Sequence, residues 1–314
     1  MKLRKKAGIP PAFFFYLPHI FSQFDSREKS PNKFAQNSEN KIEKLLLEKT
    51  MVRSLWTAAT GMNGQQANID AISHNLSNVN TTGYKQQRAE FEDLIYQKLK
   101  LAGTPATEDT VTPVGIEQGA GVKVAATQRI FSQGSLQNTG VDTDVAIVGD
   151  GFIRVQQYDG SYAYTRDGAL KVDMTGQLVT SEGLRVMPEI ILPEGFALNT
   201  LTISDTGRVT VKVNGETTPT EVGQIELYRF PNEVGLKAIG DSLYQVTNAS
   251  GDPIANRPGQ DGMGIIKHKF LEMSNVSVVN EMVQMIVAQR AYEFNSKAVQ
   301  TSDSMLSTAA NLKR

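Results

Sequence analysis

The amino-acid sequence predicts a mainly β middle domain, an antiparallel sandwich or roll, carried by N- and C-terminal α-helices that form a coiled-coil inner domain. Three observations predict it. Apolar residues repeat in heptads at both ends of the chain. Between them, alternation with period two takes over. Through that same stretch Asp-Gly and Thr-Gly turn signals recur at short spacing, which suits hairpins rather than βαβ units.

Residues 1–50 stand apart. They carry ten Lys/Arg against five Asp/Glu, so they are +5 while the remainder is −6, within a net charge of −1. A basic stretch, Lys2–Lys6, precedes an apolar run over Ala12–Leu17. Pro18 and His19 interrupt that run, and no small-x-small cleavage site follows, which argues against a cleaved signal. The segment is expected to be a disordered extension or a mis-assigned start.

From Met51 the statistics change. Leu55, Met62, Ile69 and Leu76 recur every seven residues, with Ala58, Gln65, Ile72 and Val79 three residues after each. This a/d pattern predicts a heptad helix within 51–83, weakened by Gly61 and Gly64 and stopped at Gly83 in a left-handed cap. Residues 84–121 hold Pro105, Pro113 and several glycines, and read as a linker or extended segment.

The β-rich outer domain is expected over 122–270. Val122, Val124 and Ala126 alternate with Lys123, Ala125 and Thr127, and Val209, Val211 and Val213 alternate with Arg208, Thr210 and Lys212. Asn214-Gly215 is the strongest hairpin signal. Over 271–314 the heptads return as Val278, Met285, Tyr292, Val299 and Leu306. Asn275 or Ser277 can cap this helix, and no Gly or Pro interrupts it.

Composition excludes several chemistries. The chain of 314 residues has no cysteine, hence no disulfide, thiolate metal site or cysteine nucleophile. Near-zero net charge argues against a nucleic-acid binder. No apolar run approaches the roughly 20 residues of a spanning helix, so the chain is not expected to span a membrane. There is no P-loop, no His-Glu-x-x-His and no Gly-x-Ser-x-Gly elbow, and the three histidines are isolated in sequence. Catalytic, cofactor-binding and metal-binding residues are therefore expected to be absent. The chain reads as a subunit whose terminal helices pair with each other and with neighbours. A head-to-tail contact that does not close would then build a helical polymer.

The residues also carry a resemblance. Met51-Val-Arg-Ser-Leu-Trp-Thr-Ala-Ala-Thr-Gly-Met62, leading into Asn75-Leu-Ser-Asn-Val-Asn-Thr-Thr-Gly-Tyr-Lys85, closely resembles the N-terminal signature of bacterial flagellar rod and hook axial proteins. Ser274-Asn-Val-Ser-Val-Val-Asn-Glu-Met-Val-Gln-Met-Ile286, Gln289-Arg-Ala-Tyr-Glu-Phe-Asn-Ser-Lys297 and Tyr164-Thr-Arg-Asp-Gly168 resemble the same family. Arg53-Ser-Leu-Trp56 and the stretch Pro113–Val124 resemble its distal-rod type. The resemblance implies a structural, non-enzymatic subunit that polymerises into the distal rod of the basal body and passes torque from motor to hook through the P and L rings. The alternatives are a proximal rod or hook axial protein, and more remotely a secreted β-rich enzyme or binding module.

It further implies partners: other copies of the chain, proximal rod proteins, hook protein, P-ring and L-ring proteins, and the flagellar type III export apparatus. The implied location runs from the periplasm to the level of the outer membrane, reached without a cleaved signal. Leu101–Lys123 is expected to pack on neighbouring subunits and keep the rod straight. The residues expected to carry assembly are Leu55, Met62, Ile69, Leu76 and Val79 on the first helix. On the second they are Val278, Met285, Tyr292, Val299 and Leu306.

Overall fold

A computed structural model describes residues 32–103, 113–193, 195–196, 200–213 and 218–311. The opening basic-apolar stretch, Pro105 and the Asn214-Gly215 turn lie outside these residues. The chain divides into two compact units, Met1–Thr50 and Met51–Arg314. The architecture is mainly β with one helix towards each end.

Helix α1 spans Asn32–Ser77. It therefore begins inside the stretch expected to be a disordered extension, where residues 32–50 contain no Gly or Pro and are rich in Glu, Lys and Leu, all compatible with helix. It ends before the expected stop at Gly83. Ser77 Oγ donates to Ser73 O at 2.9 Å, and Asn78 Nδ2 donates to His74 O at 2.9 Å, so polar side chains take up the last carbonyls. Gly83 is left-handed, with φ +67°, but its N–H donates to Glu272 O at 2.9 Å and ties the exit of α1 to the far end of the β region.

Strands begin at once, inside the segment expected to be a linker. β1 (Gln87–Asp93), β2 (Gln97–Lys100), β3 (Ile116–Gln118) and β4 (Val122–Arg129) form two antiparallel ribbons, β1 with β4 and β2 with β3. The Val/Lys alternation of β4 does not mark a half-buried strand here. A two-stranded ribbon has too few neighbours to cover a face, and Val124 stays 38% exposed.

Sixteen further strands follow. They are β5 (Leu136–Asn138), β6 (Val145–Val148), β7 (Ile153–Gln156), β8 (Tyr162–Thr165), β9 (Lys171–Val172), β10 (Leu178–Val179), β11 (Arg185–Met187) and β12 (Thr202–Ile203). Then come β13 (Arg208–Val211), β14 (Thr220–Gln224), β15 (Leu227–Arg229), β16 (Lys237–Gly240), β17 (Leu243–Gln245), β18 (Ile254–Asn256), β19 (Ile265–His268) and β20 (Phe270–Glu272). Seven of them form a sheet in the order β16-β17-β8-β7-β11-β10-β9, and β12-β13-β14 form a second. Each of these pairings is antiparallel. Hairpin connections between neighbours account for the dense turn signals. The long pairings β5 with β20 and β6 with β19 bring the two ends of the β region together.

The core sits between these elements. Ile153, Val155, Val209, Val211 and Ile266 are fully buried, as period-two alternation in paired strands requires, and Val145, Ile225 and Leu227 are buried with them. Beside it Phe152, Tyr164, Tyr228, Phe230 and Tyr244 pack edge to face, with ring centroids 4.9–5.9 Å apart. Helix α2 spans Val278–Asn311. Among the described residues no helix is long and apolar enough to cross a membrane.

Candidate assembly interface

α1 and α2 run antiparallel and touch. Ser54 Oγ lies 3.2 Å from Ser302 Oγ. A Cβ built on Gly61 would come within 2.8 Å of the Asn295 amide. Asn75 Nδ2 donates to Glu281 Oε2 at 3.1 Å. The residues most deeply buried along α1 from Ser54 onward are Ala58, Gly64, Ala71, Ile72 and Asn75; along α2 they are Glu281, Ala288 and Ser302.

The residues expected to carry assembly flank this line. Leu55, Met62, Ile69 and Leu76 are half-buried on α1, and Val79 is half-buried in the turn that follows the helix. Met285, Val299 and Leu306 are half-buried on α2, while Val278 and Tyr292 are exposed. The sequence reading missed the polar contacts, because a search for apolar heptads passes over Ser54, Asn75, Glu281 and Ser302. Their spacing of three heptads on each helix, Ser54 to Asn75 and Glu281 to Ser302, was the available signal.

Another face of α2 is apolar and bare. Val279, Met282, Val283, Ile286 and Val287 each keep more than half of their surface exposed in the single chain. A contiguous apolar face of this kind marks an interaction surface.

An adjoining side of α1 holds the ribbons, so that Arg53, Ala58, Gln118 and Asn295 line one cleft. The Arg53 guanidinium donates to both Gln97 and Gln118, which pair across β2 and β3. Val122 N donates to Thr60 Oγ1 at 3.4 Å. A Cβ built on Gly64 would meet Phe91 and Val122 at 3.4 and 3.5 Å, so this glycine, which weakens the heptads, lets the ribbon approach closely, while Gly61 faces α2. Beyond the Arg53 contact the ribbon exposes Leu99, Leu101, Val114 and Ile116.

A buried ionic hub joins the helix ends to the β body. Lys85 Nζ pairs with Glu272 Oε1 at 2.7 Å and donates to Ser132 O at 2.8 Å. Arg166 Nη1 lies 3.5 Å from Glu272 Oε2, and its Nη2 donates to Gly149 O at 2.7 Å. Gly134 N donates to Glu272 Oε1 at 2.8 Å. Burial, and then the neighbouring Arg166 cation, hold the Lys85 ammonium below the ordinary lysine range. Asn275 belongs to this joint rather than to the cap expected of it. Its Nδ2 donates to Ile130 O at 2.8 Å, and its Oδ1 accepts from Gln86 N at 2.7 Å.

The clefts nearby are polar. One of about 360 Å³ is lined by His74, Tyr84, Arg129, Asp167 and Glu182, among others. Its His74 Nδ1 lies 2.8 Å from Tyr84 Oη, which donates to Asn75 Oδ1 at 3.1 Å. Burial pushes the Tyr84 phenol up to about 12 and raises the Asp167 carboxyl. These groups bond inward, so the geometry is that of a joint.

Comparison with known proteins follows the same order along the chain. Residues 55–85 match a family described as flagella basal body rod protein. Residues 146–211 match the flagellar hook protein FlgE/F/G D1 domain, and residues 267–312 the flagellar basal body rod FlgEFG protein C-terminal domain. The flagellar basal-body rod protein FlgG of Borreliella burgdorferi is 59% identical over 264 residues, covering 84% of this chain and 100% of the relative. FlgG of Buchnera aphidicola subsp. Schizaphis graminum is 47% identical over 262 residues, covering 83% and 100%. FlgG of Bacillus subtilis is 39% identical over 270 residues, covering 84% and 100%.

Proposed function

The chain belongs to the family of flagellar basal-body rod proteins and is a structural subunit of the rod, and from that premise we propose that it builds the distal part of the shaft. The observation that carries this reading is the bare apolar face of α2, Val279, Met282, Val283, Ile286 and Val287, which a second copy would cover. In the proposed rod, α1 and α2 form a coiled-coil inner domain and the β domain lies outside it. Leu55, Met62, Ile69, Leu76 and Val79, with Val278, Met285, Tyr292, Val299 and Leu306, take part in packing within and between subunits. The contact is head to tail and does not close, so it propagates as a helical tube.

The role is mechanical and needs no catalysis or cofactor. The shaft passes torque to the hook through the P and L rings, between the periplasm and the outer membrane. It meets proximal rod proteins at one end and hook protein at the other. The subunit leaves the cytoplasm unfolded through the flagellar type III export apparatus. A chain without cysteine suits that route, because oxidation cannot trap it.

Electron microscopy of basal bodies tests the reading. Cells lacking the chain should stop at a short rod without hook, and the Leu306→Ala variant should fail to restore rods while its β domain folds. Full-length rods in either strain would overturn the proposal.

A further inference from the structure

The contact line between α1 and α2 is regular. Ser54, Gly61 and Asn75 on α1 meet Ser302, Asn295 and Glu281 on α2. Each step of seven or fourteen residues forward on α1 is matched by an equal step back on α2. The line is polar or small throughout, and it is buried at Asn75, Glu281 and Ser302.

Apolar heptads alone do not specify such a register. A slip by seven residues sets Met285 where Tyr292 was and Val299 where Leu306 was, exchanging apolar for apolar at small cost. The polar line behaves differently. Glu281, 1% exposed, accepts from Asn75 Nδ2 at 3.1 Å and from Gln86 Nε2 at 2.6 Å. Asn75 cannot follow a sliding α2, because its Oδ1 accepts from Gln87 N at 2.8 Å and its Nδ2 donates to Gln87 O at 2.8 Å. The Gln86 backbone is held in turn by Asn275. A one-heptad slip carries Glu281 away to Asn68 and leaves a buried carboxylate and two amides short of their partners.

We infer that Asn75, Gln86 and Glu281 form a register lock. They select the heptad in which α2 lies against α1, and so decide which face of α2 is turned outward. These are positioning residues, and the device belongs to the single chain, independent of the rod it enters.

The absence of native cysteine makes the test direct. Two reporter pairs are built in the full-length chain: Ser54→Cys with Ser302→Cys for the observed register, and Ser54→Cys with Asn295→Cys for a slip of one heptad. Each is oxidised below the concentration at which the chain polymerises, and the intramolecular disulfide is read by gel mobility. With the lock intact, the first pair should close at least about tenfold faster than the second, since a slip strands buried polar groups.

Glu281→Ala should bring the two rates together. Glu281→Gln, which keeps the side chain's shape and one accepting oxygen for either Asn75 Nδ2 or Gln86 Nε2, should leave a reduced preference for the first pair. An unchanged preference in Glu281→Ala overturns the inference. So does loss of both disulfides with the near-ultraviolet signal of the β core intact, since Glu281 would then only hold the helices together. If Glu281→Ala unfolds the β core, Glu281→Gln decides: a preference below that of the unaltered chain supports the lock, and an undiminished one overturns it.

Discussion

Replacing Glu272 by Gln removes one charge and almost no volume from the joint between helices and β body. Both cations that Glu272 neutralises have side chains only 1% exposed, Lys85 at 2.7 Å and Arg166 at 3.5 Å. Removing one partner of a buried ion pair costs about 3–5 kcal/mol, because the remaining charge stays buried without compensation. The introduced amide keeps an oxygen for the Gly134 N–H, so the lower figure, about 3 kcal/mol, applies. For a domain of this size that corresponds to a fall in Tm of about 6–12 °C.

The pH dependence carries the diagnosis. In the folded chain Lys85 sits below its unfolded value of about 10.4. Between the two values the unfolded chain binds more protons, so stability rises with pH across that window. Without Glu272 the folded value drops further and the window widens. The deficit of the variant against the unmodified chain should therefore be largest near neutrality and shrink as pH approaches about 10. Calorimetry across that range measures it. A loss of less than about 2 °C at neutral pH, or a deficit that grows with pH, would refute the reasoning.

Three further outcomes are expected. Ile286→Asp, on the bare face of α2, should change monomer stability by no more than about 0.5 kcal/mol in urea unfolding and yet abolish rods seen by electron microscopy. Gly121→Ala places a methyl group against Thr60 in a backbone with φ +113°, and should lower the urea midpoint by the equivalent of about 1–3 kcal/mol; Thr60→Ala should recover only part, since the backbone strain remains. Deleting Thr104–Gly115 should give curved or flexible rods, and straight rods of normal stiffness would count against a role for that segment.

Much of the fold was legible because its signals are local. Val209 and Val211 alternate with polar neighbours and are fully buried, and the heptads from Leu55 to Leu76 and from Met285 to Leu306 lie on helices. Of the ribbons β4 was legible from its alternation over Val122–Thr127, but β1, β2 and β3 were not. Their prolines and glycines suggest a linker, and what orders them is distant: the Arg53 guanidinium reaches Gln97 and Gln118 from α1. Lys85, Arg166 and Glu272 were equally silent, since nothing in three scattered charged residues announces that burial will bring them together.

The sequence by itself determined that this chain carries heptad-patterned helices at both ends of an antiparallel β region, because period and turn chemistry act over a few residues. Tertiary structure alone decided which line of each helix faces the other. That choice rests on Asn75 meeting Glu281 across 206 residues, and on whether buried polar groups find partners there. Such partnerships are settled by the folded geometry, where an unpaired carboxylate costs more than any local preference can offset.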